Sequence, residues 1–96
     1  MSEKEIINRL HNLGIEELRT IQTLNVLSGD YVNNMCKCPN GTKNKLLDDN
    51  STYLCAQVEI EGSERCYGVA ADEHQIAVFS YGCNGTECEL EIWLKR

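Results

Sequence analysis

The chain has 96 residues, six cysteines and a formal net charge of −6, which is enough for one domain with a single hydrophobic core. No stretch approaches the roughly 18 apolar residues of a membrane-spanning helix, and the first residues lack a basic and apolar leader, so we expect a cytoplasmic protein without membrane contact. The acidic charge repels phosphate groups and argues against direct nucleic-acid binding.

The N-terminal third of the chain is predicted to be helical. Apolar residues recur at helical spacing over residues 6–13, after a capping box that begins at Ser2 and before a left-handed stop at Gly14. A second apolar run follows over residues 15–27. Because the connection between the two runs is short, we expect an αα-hairpin over residues 2–29.

Residues 30–51 show no sustained period and contain the single proline. A loop of that length is unusual in so small a domain, so we expect it to be functional, held by a ligand, or mobile. From residue 52 the apolar period changes to two, and short turn signals separate four candidate strands. The prediction is an α+β domain in which the αα-hairpin packs on one face of a four-stranded antiparallel β-meander over residues 52–95.

Pairing through the short turns divides the side chains of this sheet between two apolar faces. The first face, which would receive the helices, collects Leu54, Val58, Ile60, Tyr67, Val69, Ile76 and Val78. The second face collects Cys55, Cys66, Phe79, Tyr81, Cys83, Cys88, Leu90, Ile92 and Leu94. The long loop, a second copy of the chain in a homodimer, or another protein could cover the second face, and a single β-bulge would exchange some residues between the faces.

The sheet half of the chain is also its acidic half. Residues 52–94 contain eight acidic side chains and one basic side chain, Arg65. Such a surface attracts basic protein surfaces, although an acidic face that only maintains solubility needs no partner. A protein interface is predicted either at Phe79, Tyr81, Leu90 and Ile92 with Glu87, or at Trp93 between Glu89 and Glu91.

Four cysteines form two pairs that could hold a metal ion. Cys36 and Cys38 precede a Pro-Asn-Gly turn, and Cys83 and Cys88 flank a predicted four-residue turn. A structural zinc ion takes four thiolates in a tetrahedron, so these four cysteines are the predicted zinc ligands, although neither pair has C-x₂-C spacing. A Cys83–Cys88 disulfide and ordinary reduced thiols are the alternatives that the sequence leaves open.

The sequence supports thiol chemistry and catalysis less than it supports a zinc site. Lysines near Cys36 and Cys38 would favour a reactive thiolate, and hence a thiol redox sensor, but no helix is predicted to begin there. Neither histidine has the neighbours of a catalytic triad or a metal motif, and phosphate-binding motifs are absent. We therefore do not expect an enzyme.

The sequence thus favours a small acidic, non-catalytic protein-binding or regulatory module. Its size and charge suit an inhibitor, including a phage-type inhibitor that blocks a host complex by imitating nucleic-acid charge. A cysteine-ligated zinc module and a thiol redox sensor are the alternatives.

Overall fold

The computed structural model describes residues 3–38, 40–59, 61–82 and 87–95. Its elements follow in the order α1 (Glu3–His11), a 3₁₀ helix (Glu16–Thr20), β1 (Asn25–Ser28), α2 (Gly29–Met35), β2 (Thr52–Glu59), β3 (Arg65–Ala71), β4 (Gln75–Gly82) and β5 (Glu89–Lys95). The strands form one antiparallel sheet in the order β1-β2-β3-β4-β5. The predicted α+β class is confirmed, whereas the predicted count of four strands is wrong because β1 adds a fifth.

The predicted αα-hairpin is wrong after its first helix. α1 forms where expected, and Ser2, its predicted cap, lies outside the described residues. The strict three-residue spacing within residues 15–27 turns successive apolar positions by about 60° around an α-helix, so they do not stay on one face. The chain instead forms the 3₁₀ helix, which has three residues per turn, and then the irregular segment 21–24. Leu18, Ile21 and Leu24 are all buried by this path.

Segment 21–24 is fixed to both ends of α1. The backbone N–H of Leu24 donates to the carboxylate of Glu3 over 2.8 Å, and Nε2 of His11 lies 2.8 Å from the carbonyl oxygen of Ile21. Together, α1 and this segment cover the first face of the sheet. The first core that results contains Ile6, Leu10, Leu18, Ile21, Leu24, Val58, Val69, Ala71, Ile76 and Val78.

The segment predicted as a long loop begins with a helix. Ser28 caps α2 by accepting a hydrogen bond from the N–H of Tyr31 over 3.0 Å. The next residue must be Gly29, because a Cβ atom there would lie 1.9 Å from the carbonyl oxygen of Asp48. α2 and the segment after it pack on the second face of the sheet. The second core that results contains Val32, Cys36, Leu47, Tyr53, Cys55, Cys66, Ala70, Phe79 and Tyr81.

Asn33 holds the segment after α2 in place. Its side-chain amide donates to the carbonyl oxygen of Leu47 over 2.7 Å and to the carboxylate of Asp49 over 2.9 Å, and its side-chain oxygen accepts from the N–H of Leu47 over 3.1 Å. The residue is 1% exposed. An irregular segment over the sheet is therefore anchored by a buried and fully bonded polar side chain.

The strand registers agree with the prediction in part. The register between β2 and β3 is the predicted one. Between β3 and β4, Val69 lies opposite Val78 and not opposite Ile76 as predicted. The carboxylate of Asp72 accepts hydrogen bonds from the N–H groups of His74 and Gln75, over 2.7 and 2.9 Å. These bonds form a turn that lies later in the chain than the predicted one. Because this register differs from the predicted one by two residues, each side chain stays on its predicted face of the sheet.

A β-bulge between β4 and β5 exchanges two residues between the faces. Ile92 lies opposite Val78, whereas Leu90 lies opposite the next residue of β4, so that Glu91 is the extra residue. Ile92 and Leu94 consequently pack against the first core and not on the second face as predicted.

Candidate functional site

Two large apolar side chains on β5 are exposed. Leu90 and Trp93 have 47% and 40% of their surface accessible. They lie opposite Phe79 and Ala77 of β4, which are buried on the second face of the sheet. β5 is also the last strand of the sheet, so within the described residues its outer edge pairs with no strand. An apolar pair and unpaired backbone groups therefore meet at one edge of the domain.

Three acidic residues are close to this apolar pair in sequence, and Arg65 contacts one of them, Glu87. A guanidinium nitrogen of Arg65 lies 3.8 Å from the carboxylate of Glu87, and another donates to the Glu87 carbonyl oxygen and to Oγ of Ser80, each over 2.9 Å. Ser80 in turn donates to the carboxylate of Glu91 over 2.6 Å. Because of the bulge, Glu91 reaches Ser80 and does not share the face of Trp93.

The structure divides the predicted interface residues into buried and exposed groups. Phe79 and Tyr81 are 2% and 4% exposed and belong to the second core. Ile92 packs against the first core. The exposed group comprises Glu87, Glu89, Leu90, Glu91 and Trp93, and we refer to these five residues as the β5 surface.

The predicted zinc ligands come together only in part. Cys36, at the end of α2, lies in the core against which Cys88 packs just before β5, and the backbone N–H of Cys88 donates to the carbonyl oxygen of Lys37 over 2.9 Å. Cys38 lies in the turn that follows, where its N–H donates to the carbonyl oxygen of Thr42 over 3.0 Å, and Cys83 lies outside the described residues. Across the described part of the chain, no group of three or more His, Cys, Asp or Glu side chains has a geometry that could hold a metal ion.

The contact between Cys36 and Cys88 shifts the pKa values of their two thiols in opposite directions. The interaction with the side chain of Cys88, together with burial, raises the pKa of Cys36 well above its usual range. The same interaction lowers the pKa of Cys88, with further help from Asn44 and Arg65, against the opposing effect of burial. Cys88 is consequently the sulfur of this pair that is better suited to be a thiolate.

A groove of about 240 Å³ opens between α2 and the sheet. Tyr31 and Met35 of α2 line it and are 52% and 41% exposed. Its inner wall includes Phe79, whose ring lies so close to Gly68 that a Cβ atom there would be 2.3 Å away. The groove is smaller than the roughly 300–1,000 Å³ typical of small-molecule sites, and it does not indicate a cofactor site.

Sequence reasoning missed three parts of this region. The contacts of Arg65 with Glu87 and of Ser80 with Glu91 were not expected, because they depend on the β3–β4 register and on the bulge. The helix α2 was also missed. Ser28 followed by Gly29 and Asp30 carried the signal, since serine is a preferred N-cap and an acidic residue favours the first turn.

No described helix is long and apolar enough to cross a membrane. No protein-family model matches the sequence, and neither a curated protein nor a solved structure shows a significant match to the chain.

Proposed function

We propose that this chain is a non-catalytic protein-binding module that engages a basic partner through the β5 surface. The observation that carries the proposal is the joint exposure of Leu90 and Trp93 on β5, one of the two edge strands of the sheet. Single exposed apolar residues are common on proteins. Two exposed apolar residues on one face of an edge strand, with exposed acidic residues on the same strand, resemble the apolar centre and polar rim of a protein interface.

The edge of β5 suggests how a partner would bind. An exposed strand edge offers N–H and C=O groups to an extended segment of another chain, and the adjacent side chains supply specificity. Trp93 would be the principal apolar contact, because tryptophan is enriched among the residues that contribute most to binding. Leu90 would extend the same contact toward the start of the strand.

The charge of the β5 surface favours a basic partner. Glu87, Glu89 and Glu91 lie in a half of the chain that has eight acidic side chains over residues 52–94. Complementary charge increases the association rate more than it increases affinity. An inhibitor of a nucleic-acid-binding complex is the narrower form of the proposal, since an acidic surface competes with phosphate groups for basic sites.

Comparative capture tests the proposal. The immobilised chain, Leu90→Ala, Trp93→Ala and Glu89→Lys would each be incubated with the same cell extract, and retained proteins would be measured by quantitative mass spectrometry. Val26→Ala is the matched control, since Val26 is 67% exposed on β1, at the opposite edge of the sheet. We expect a basic protein that the chain and the control retain equally and that Trp93→Ala retains about tenfold less.

Three further results would decide whether the β5 surface binds a partner and what that partner is. Equal retention of every protein by all five forms, with circular dichroism showing that each is folded, would contradict a role for the β5 surface. Self-association that light scattering detects for the chain and for Val26→Ala, but not for Trp93→Ala, would identify the partner as a second copy. A captured complex that loses nucleic-acid binding when the chain is added would support the inhibitor form.

A further inference from the structure

Cys36 and Cys88 are distant in sequence and adjacent in the fold. Cys36 ends α2, where its N–H donates to the carbonyl oxygen of Val32 over 2.9 Å, and Cys88 lies directly before β5. Cys36 belongs to the second core, and the side chain of Cys88 packs against that core. The backbone N–H of Cys88 also donates to the carbonyl oxygen of Lys37 over 2.9 Å. The main chains that carry the two thiols are thus fixed side by side.

The two thiols differ in accessibility. Cys36 is 4% exposed and belongs to the second core, whereas Cys88 is half-buried at the rim of that core. A small oxidant can reach Cys88 first, and the backbone hydrogen bond from Cys88 to Lys37 keeps Cys36 beside it. This arrangement of one accessible and one enclosed thiol separates the pair from Cys55 and Cys66, which are both buried.

We propose that Cys36 and Cys88 form a reversible disulfide when the chain meets a low-molecular-weight disulfide of the glutathione type. The inference is independent of the proposed function, because it depends on the contact between α2 and the start of β5 and not on any partner. It also differs from the disulfide expected from the sequence, which joined Cys83 to Cys88.

The reaction proceeds by two thiol–disulfide exchanges. Cys88, as its thiolate, attacks one sulfur of glutathione disulfide, so that a Cys88–glutathione bond forms and one glutathione thiolate leaves, which takes up the proton that Cys88 released. The sulfur of Cys36 then attacks the Cys88 sulfur and displaces the second glutathione, which takes the proton of Cys36. Two protein thiols lose two electrons, and one glutathione disulfide becomes two glutathione molecules.

The bridge would connect two elements that flank the β5 surface. It would join the end of α2 to the chain just before β5, and so hold the segment after α2 on the sheet. Reduction would leave the backbone hydrogen bond between Lys37 and Cys88 and the apolar contacts of the second core. The oxidised form should therefore keep the same fold and unfold at a higher urea concentration than the reduced form.

Disulfide mapping on the full chain tests this inference. The chain would be equilibrated without oxygen in glutathione buffers of increasing oxidised fraction, quenched with acid, alkylated and digested. Cleavage after Lys37 separates Cys36 from Cys38, and cleavage after Glu87 separates Cys83 from Cys88. We expect one bridge, between the peptides that contain Cys36 and Cys88. Cys38→Ser should retain this bridge, and Cys88→Ser should lose it.

Three outcomes would overturn the inference, and none requires a variant to fold. The first is a bridge that predominantly joins Cys83 to Cys88 or Cys36 to Cys38. The second is that Cys36 and Cys88 stay free in the most oxidising buffer. The third is a bound zinc ion that protects both thiols from oxidation and alkylation until a chelator removes it, which would assign these residues to a metal module instead.

Discussion

Asn33 shows how one side chain orders a segment that has little apolar pattern of its own. Its amide makes three hydrogen bonds, two with the backbone of Leu47 and one with the carboxylate of Asp49. The hydrogen bond from Asn33 lowers the pKa of Asp49, and the hydrogen bond from Lys43 lowers it further. A polar residue that a propensity scale would assign to a turn thus belongs to the inside of the domain.

Replacing Asn33 by alanine is expected to destabilise the chain by about 2–4 kcal/mol, because the buried N–H and C=O of Leu47 would each lose a partner. Asn34→Ala is the matched control, since Asn34 is exposed and bonds within α2, and it should cost less than about 1 kcal/mol. Urea unfolding of both variants measures the difference. A free energy of unfolding for Asn33→Ala within about 0.5 kcal/mol of the unchanged chain would refute the anchoring role.

Cys55 makes stability depend on pH in the alkaline range. Burial raises the pKa of its thiol from 9.0 to about 11, so the folded chain retains a proton that the unfolded chain loses. Its contribution is complete below the unfolded pKa and is lost as the pH rises through the folded value, by about 2 kcal/mol between pH 8 and 11. Cys55→Ala should show a correspondingly smaller loss over that range in urea unfolding under reducing conditions. Equal losses in the two proteins would contradict this role.

At the scale of the elements, the sequence predicted the parts that have a simple pattern. The second half of β2 alternates between apolar and polar residues, β3 and β4 are short, mainly apolar runs, and short turns separate them, so their positions and the first face could be predicted. The helix predicted over residues 15–27 is wrong because strict three-residue spacing suits a 3₁₀ helix better than an α-helix. The bulge at Glu91 could not be predicted, since Leu90, Ile92 and Leu94 recur at a period of two in the sequence and nothing marks the break in their pairing with β4.

The bulge predicts different costs for two neighbouring apolar residues of β5. Ile92→Ala should destabilise the chain by about 2 kcal/mol, because Ile92 packs against the first core. Leu90→Ala should change the free energy of unfolding by less than about 1 kcal/mol, because Leu90 is 47% exposed. Urea unfolding of the two variants compares them directly. Equal costs would mean that both side chains share one face, as an unbroken strand requires.

In the whole molecule, the sheet is covered on both faces, and within the described residues β1 and β5 are its two edge strands. α1 and segment 21–24 cover the first face, while α2 and the segment that Asn33 anchors cover the second. The sequence predicted an acidic, partly apolar region in the C-terminal strands, and the structure restricts its exposed part to the β5 surface. Phe79 and Tyr81 could not be separated from this surface in advance, because the cover over them comes from a helix that the sequence did not reveal.

Photo-crosslinking from β5 tests the binding proposal most directly. The photoreactive residue p-benzoylphenylalanine would replace Leu90 in one form of the chain and Val26, on the opposite edge, in a matched form, and both would be irradiated in cells that express them. We predict a crosslinked protein from position 90 that is absent from position 26 and is lost when Trp93→Ala is added. Crosslinks from position 26 alone, or the same crosslinks from both positions regardless of Trp93, would contradict the account.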